Sequence, residues 1–128
     1  RFKLKEIELV KTLAGNDIVE ADKEKMKIAL LNIVINGIEA IDKKQGKMQV
    51  ETYRINDLAC IKISDTGIGI QPQDIDRLFQ PYFTGKKNGM GLGLVSTQSI
   101  VKAHRGDISV SSIPGEGTTF IVSLPTVG

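Results

Sequence analysis

KIALLNIVINGIEAI, residues 27–41, carries an apolar period and a polar row at once. Ala29, Leu30, Ile33, Val34, Gly37, Ile38 and Ile41, with Met26 just upstream, recur at steps of three and four, the spacing of one helix face. At about 100° per residue, Asn32, Asn36 and Glu39 fall together on the flank of that stripe. The spacing predicts a helix over 23–42, capped by Asp22. Its apolar face would lie on a sheet while its asparagine edge borders a pocket. Asparagine is a mediocre helix former, so two of them one turn apart cost roughly a few tenths of a kcal/mol. They either repay that at a site or are plain solvated positions.

Working outward, KEIELVKTLA (5–14) and DIVEA (17–21) read as strands of a hairpin around Gly15-Asn16-Asp17. KMQVETYRI (47–55) and DLACIKISD (57–65) read as a second hairpin, turning at Asn56-Asp57. A short helix is expected over 73–79, then a polar, glycine-bearing segment over 80–90. A second long helix is expected over 93–105, with Leu94, Thr97, Ile100, Val101 and Ala103 toward the core and Gly106 ending it. Strands 107–113 and 118–125, joined by Pro114-Gly115-Glu116-Gly117, close the chain. The class predicted is α+β. It is a two-layer α/β sandwich with a mixed, mostly antiparallel sheet and helices on one face, formed by one domain over 1–128.

Composition narrows the function classes. With 128 residues there is material for one sizeable core. The net charge of +2 is too mild, and the basic residues too scattered, to argue for nucleic acid. Cys60 is the single cysteine, which excludes an internal disulfide and reads as a buried reduced thiol. No apolar run approaches the ~20 residues that span a bilayer, and no signal peptide is visible. The chain starts at Arg1 rather than Met and reads as part of a longer protein, in which a membrane anchor would lie elsewhere.

Three segments carry chemistry. An asparagine amide oxygen is a hard, neutral ligand, suited to a Mg2+ ion beside phosphates. DTGIGI (65–70) follows a strand. Gly67 and Gly69 would let the backbone turn tightly and approach a flat ligand, and a recessed Asp65 carboxylate could accept a hydrogen bond from an exocyclic amine. A turn-forming Asp65 is the equal alternative. GMGLGL (89–94) precedes the second long helix, and amides at such a start form an anion site. The Walker pattern GxxxxGK[ST] and a first-strand GxGxxG are both missing. Lys86, with Lys87 as its neighbour and competitor, could reach a terminal phosphate.

Together these segments resemble the catalytic and ATP-binding domain of bacterial two-component sensor histidine kinases. These belong to the superfamily that includes gyrase, the heat-shock chaperone and the mismatch-repair protein MutL, whose domain is the Bergerat ATP-binding fold. LLNIVINGIEAI resembles the asparagine box, DTGIGI the first glycine box, RLFQPYFTGK the phenylalanine box and GMGLGL the second glycine box. GEGTTFIVSLP is similar to the terminal strand motif. The resemblance covers residues 5–125.

The resemblance implies ATP and Mg2+ as cofactors. It implies that Asn36 binds the metal, that Asn32 helps hold the phosphates, and that Lys86 contacts them with the amides of Gly91, Leu92 and Gly93. Asn32, Asn36 and Lys86 would then be the catalytic set. Asp65 would take the adenine amine, with Gly69 against the base and Thr118 assisting directly or through water. Gly67, Ile70, Gly89 and Leu94 would line the nucleotide. Phe79 and Phe83 would anchor a lid over residues 80–92 and dock on the partner helices.

Some positions depart from the family. Gly37 stands where alanine is commoner, loosening the helix by ~1 kcal/mol. Glu39 replaces a phosphate-binding lysine, and Met90 a threonine. Hydrolysing relatives carry a glutamate one turn before the metal-binding asparagine. Here that position is Asn32, whose amide cannot take a proton, so transfer to a protein nucleophile is expected rather than water attack. The implied partners are the protein's own dimerisation and histidine-acceptor domain and a response regulator. Nucleic acid is not among them. The isolated domain would be monomeric and the parent homodimeric, with this domain in the cytoplasm. His104 lies near a helix end and reads as a dipole-favoured residue there, not as the phosphoacceptor. The alternatives are an anti-sigma-factor-like serine kinase and a nucleotide-gated binding module without transfer activity.

Overall fold

The computed structural model describes residues 6–13, 21–42, 45–79 and 91–126, with 6–13 and 91–93 by backbone alone. In chain order the elements are β1 (Glu6–Leu13), α1 (Lys23–Ala40), β2 (Gln45–Ile55), β3 (Leu58–Asp65), α2 (Pro72–Ile75), α3 (Gly91–Ala103), β4 (Asp107–Ile113) and β5 (Gly117–Pro125). The strands form one sheet in the order β1-β2-β3-β5-β4. β1 runs parallel to β2, and every other pairing is antiparallel. That is the mixed, mostly antiparallel sheet the sequence predicts. The strand expected over 17–21 lies outside the described residues except for Ala21, which is not in a strand.

The two long helices pack on each other and on one sheet face. Their junction is filled by Met26, Ala29 and Ile33 of α1, Ile41 just beyond it, Leu94 and Val101 of α3, and Met48, Ile63, Ile108, Phe120, Val122 and Leu124 of the sheet. β5 shows the period plainly, since Thr118, Phe120, Val122 and Leu124 are buried and their neighbours only partly so. The Cys60 thiol is free and buried, as expected.

Helix ends explain the antiparallel helix pair. The Asp22 carboxylate accepts from Lys25 N–H at 3.1 Å, the expected cap. Asp22 N–H in turn donates to His104 Nε2 at 2.9 Å, while His104 Nδ1 lies 2.7 Å from Ile100 O. With Nε2 accepting and Nδ1–H donating, the ring is neutral and clasps the start of α1 to the end of α3. Its task is therefore that of an acceptor between helices, not of a cation at a dipole.

Other expectations shift. α2 is one turn, shorter than the helix expected over 73–79. Ala103 faces solvent rather than the core. Arg105, not Gly106, takes the left-handed conformation that ends α3, at φ 63°. Arg105 N–H bonds Lys102 O at 3.0 Å and Gly106 N–H bonds Val101 O at 3.0 Å, closing the helix end around it.

Candidate functional site

Among the described residues four polar side chains are buried: Asn36, Asp65, Thr97 and Thr118. Thr97 donates to Ala29 O at 3.3 Å, which joins α3 to α1. The other three gather at one end of the sandwich. Asp65 and Thr118 face each other across β3 and β5. Gly37, the neighbour of Asn36, lies so close that a Cβ there would stand 3.2 Å from Asp65 Cβ. A buried carboxylate on the core face is costly without hydrogen bonds. Asp65 Oδ1 accepts Gly67 N–H at 2.8 Å. The turn-forming role is thus real, and it coexists with a recessed position.

The loop after Asp65 is held on both sides. Thr66 N–H donates to Lys47 O at 3.1 Å, and Lys47 N–H returns a bond to Thr66 Oγ1 at 2.9 Å. Ile68 N–H donates to Ala40 O at 2.9 Å, Gly115 N–H to Ile68 O at 2.7 Å, and Ile70 N–H to Ser112 Oγ at 2.7 Å. A Cβ on Gly67 would come within 2.7 Å of the Ala40 backbone. Gly69 sits at φ 77°, where a Cβ would be strained. The close approach these glycines permit is to α1 and to the β4–β5 hairpin, so the loop is fixed before any ligand arrives.

Beside it opens a recess of about 290 Å³, lined chiefly by Asp65, Ser112, Ile113, Glu116, Gly117 and Thr118. Ser112 is the residue the sequence reading missed. Its hydroxyl meets the Ile70 N–H, donates to Gly117 O at 2.9 Å and lies 2.8 Å from Thr118 Oγ1. The signal for it was register: counting back from the turn pairs Ser112 with Thr118.

The polar edge of α1 meets the start of α3. His104 against Asp22 and Thr97 against Ala29 set one antiparallel register. Extended, it places Leu94 level with Asn32 and brings the first turn of α3 toward Asn36. The first four amides of a helix have no partner within it, so those of Gly91, Leu92 and Gly93 are free of intrahelical bonds. Asn32 is half-buried, Glu39 is exposed, and the Leu94 side chain is in the core. Phe79 and Ile70 are partly buried against that core. Lys86, Lys87, Gly89, Met90 and Phe83 lie outside the described residues, as do residues 80–90 of the lid expected over 80–92, while its last two residues, Gly91 and Leu92, begin α3.

Comparison with known proteins gives this geometry relatives. Residues 21–128 match the family described as histidine kinase-, DNA gyrase B-, and HSP90-like ATPase. The chain is 44% identical over 108 residues to the signal transduction histidine-protein kinase AtoS of Escherichia coli (strain K12), covering 84% of this chain and 18% of that protein. It is 40% identical over 110 residues to the sensor histidine kinase ZraS of Salmonella typhimurium, covering 85% of this chain and 23% of the relative. The chain thus spans about a fifth of these relatives. Among solved structures, the mycobacterial sensor histidine kinase MprB superposes with a TM-score of 0.84 at 28% identity, covering 94% of this chain and 82% of that one. The catalytic domain of histidine kinase ThkA superposes with a TM-score of 0.81 at 30% identity, covering 93% and 78%.

Proposed function

Because the chain belongs to the histidine kinase-, DNA gyrase B-, and HSP90-like ATPase family, we propose that it binds ATP with Mg2+ and donates the γ-phosphoryl group to a histidine on a separate dimerisation domain, which feeds a response regulator. In this reading residues 1–128 are one ATP-binding catalytic domain of a larger sensor kinase. The observation that carries it is the gathering of Asp65, Thr118 and Asn36 at one end of the fold.

Asp65 and Thr118 take the base in the recess. The Asp65 oxygen opposite its Gly67 bond accepts the adenine amine, and Gly69 lines the ring. Asn32, Lys86 and the amides of Gly91, Leu92 and Gly93 hold the phosphates. No cluster of three His, Cys, Asp or Glu side chains able to hold a metal occurs among the described residues. That suits Mg2+, which is commonly held by one or two protein oxygens and the substrate's own phosphates. Asn36 would supply the protein oxygen, and the bound ion would neutralise charge on the phosphates. Phosphoryl transfer asks mainly for such positioning and neutralisation. The unprotonated nitrogen of the acceptor imidazole forms the new P–N bond as the bond from the γ phosphorus to the bridging oxygen breaks; ADP leaves with that electron pair, and the proton on the other ring nitrogen passes to solvent. Asn32 offers no base to activate water, which favours transfer over hydrolysis.

Isothermal titration with a non-hydrolysable ATP analogue, with and without Mg2+, tests this reading. Binding strengthened by Mg2+ and lost in Asn36→Ala is expected. No binding by a chain that circular dichroism reports as folded would overturn it.

A further inference from the structure

We propose that Ser112 is a positioning residue that sets the base preference of the recess by fixing the proton of Thr118. The inference rests on the nucleotide-binding reading above. A serine hydroxyl has one proton and two lone pairs. Ser112 Oγ accepts the Ile70 N–H at 2.7 Å and donates its own proton to Gly117 O at 2.9 Å. One lone pair remains, and Thr118 Oγ1 stands 2.8 Å away. The Gly117 carbonyl can only accept, so in the arrangement that satisfies it the serine proton goes there and the proton between the two hydroxyls is that of Thr118. Thr118 is buried and lines the recess. Its hydroxyl therefore presents lone pairs to that recess and no proton.

The consequence reaches the ligand. Across the strand pair stands Asp65, an acceptor when ionised, with one oxygen held by the Gly67 N–H. Two acceptors side by side suit a base edge that offers an amine, or a water that donates one hydrogen bond to them and one to a ring nitrogen. They oppose a base edge that offers a carbonyl between them, because neither side chain presents a proton there. The same serine also bonds the Ile70 amide, tying the loop that carries Gly69 to the hairpin that carries Thr118.

The test compares binding of non-hydrolysable ATP and GTP analogues to the full chain. Removing the acceptor in Ser112→Ala frees the Thr118 proton to turn toward a ligand carbonyl. The preference for ATP over GTP should then fall about tenfold, the equivalent of about 1.4 kcal/mol. Ser112→Cys keeps the shape with a poor acceptor and should move the preference the same way, which covers a failure of the alanine variant to fold. Ser112→Thr keeps the hydroxyl and should retain the wild-type preference. In a Thr118→Val background, Ser112→Ala should change the preference no further. An equal loss of affinity for both analogues, or an unchanged preference, would reduce Ser112 to a structural residue and overturn the proposal. Failure of the wild-type chain to bind either analogue would instead sink the nucleotide reading itself.

Discussion

Asp65 sits where the alternation of β3 calls for an apolar residue, in line with Ile63 on the face that meets the helices. Burial of a carboxylate there is tolerated because the following backbone turns back to it, with Gly67 N–H at 2.8 Å. Asp65→Asn separates the two tasks of the side chain. The amide oxygen can still accept the Gly67 N–H, so the turn survives, while the other carboxylate oxygen is replaced by an NH2 that donates. The fold should persist by circular dichroism, and the ATP-over-GTP preference should be lost in competition titrations. A wild-type preference in this variant would remove Asp65 from base recognition. Gly37 is the second telling residue. As a helix interior glycine it costs ~1 kcal/mol against alanine. A Cβ there would lie 2.8 Å from Met48 Cε, 2.9 Å from its Sδ and 3.2 Å from Asp65 Cβ. The Met48 thioether can swing aside, but the Asp65 Cβ, at 3.2 Å, has to give by a few tenths of an ångström. Gly37→Ala should therefore leave stability within ~1 kcal/mol of wild type, yet weaken the ATP analogue several-fold by displacing the carboxylate. An unchanged affinity alongside a raised melting temperature would make Gly37 a chance departure.

Between α1 and α3 the fastening is local and polar. His104 holds Asp22 N–H through one ring nitrogen and Ile100 O through the other, and Thr97 bonds Ala29 O. His104→Ala should destabilise the domain by about 1–2 kcal/mol, the worth of two modest hydrogen bonds. That would appear as a lowered melting temperature by several degrees at this size. An unaltered transition would deny the clasp. Farther along, the Lys102 ammonium donates to Asp107 at 2.9 Å, and with the Ile108 N–H it holds the Asp107 carboxyl below its ordinary range. A depressed carboxyl contributes stability above its unfolded pKa near ~3.9, and the contribution fades as pH falls through and below that value. Both partners are mostly exposed, so the effect is small. Asp107→Asn should melt slightly lower than wild type at pH 7 and together with it in strong acid. The elements themselves were legible because their periods are clean: 3.6 over residues 23–41 and 2 over 118–125. Register was less so. β5 begins at Gly117, one residue before the expected start, so that Ile113 pairs Gly117 and Ser112 pairs Thr118. A turn read as four residues hid the Ser112–Thr118 contact, since one step of register changes which side chains share a face. The parallel β1–β2 pairing was hidden too, because it joins segments that α1 separates and no local turn signal marks it.

Across the whole molecule, the proposed phosphoryl-donor site and the one histidine of the chain lie at opposite ends of the helix pair. The chain contains one histidine, His104. It sits at the end of α3, and the antiparallel register puts that end beside the start of α1, whereas Asn36, Asp65 and the first turn of α3 lie at the opposite end. Both His104 nitrogens are engaged in the fold, one as acceptor and one beside a carbonyl. Attack on a phosphorus would need a free lone pair and a break in the clasp that joins the helices. The chain alone, given ATP and Mg2+, should therefore bind nucleotide and acquire no phosphohistidine. Supplied with the dimerisation domain of its own parent protein, it should label that domain. His104→Gln keeps an oxygen that can accept Asp22 N–H and an NH2 that can donate to Ile100 O, so the donor should work as before. Acid-labile label and mass analysis of both partners would read the outcome. Phosphate on His104 itself, or loss of transfer in a folded His104→Gln chain, would return that residue to the chemistry. Label on the supplied domain alone would make the present fold a donor whose partner must bring the nucleophile to the phosphates, at the start of α3.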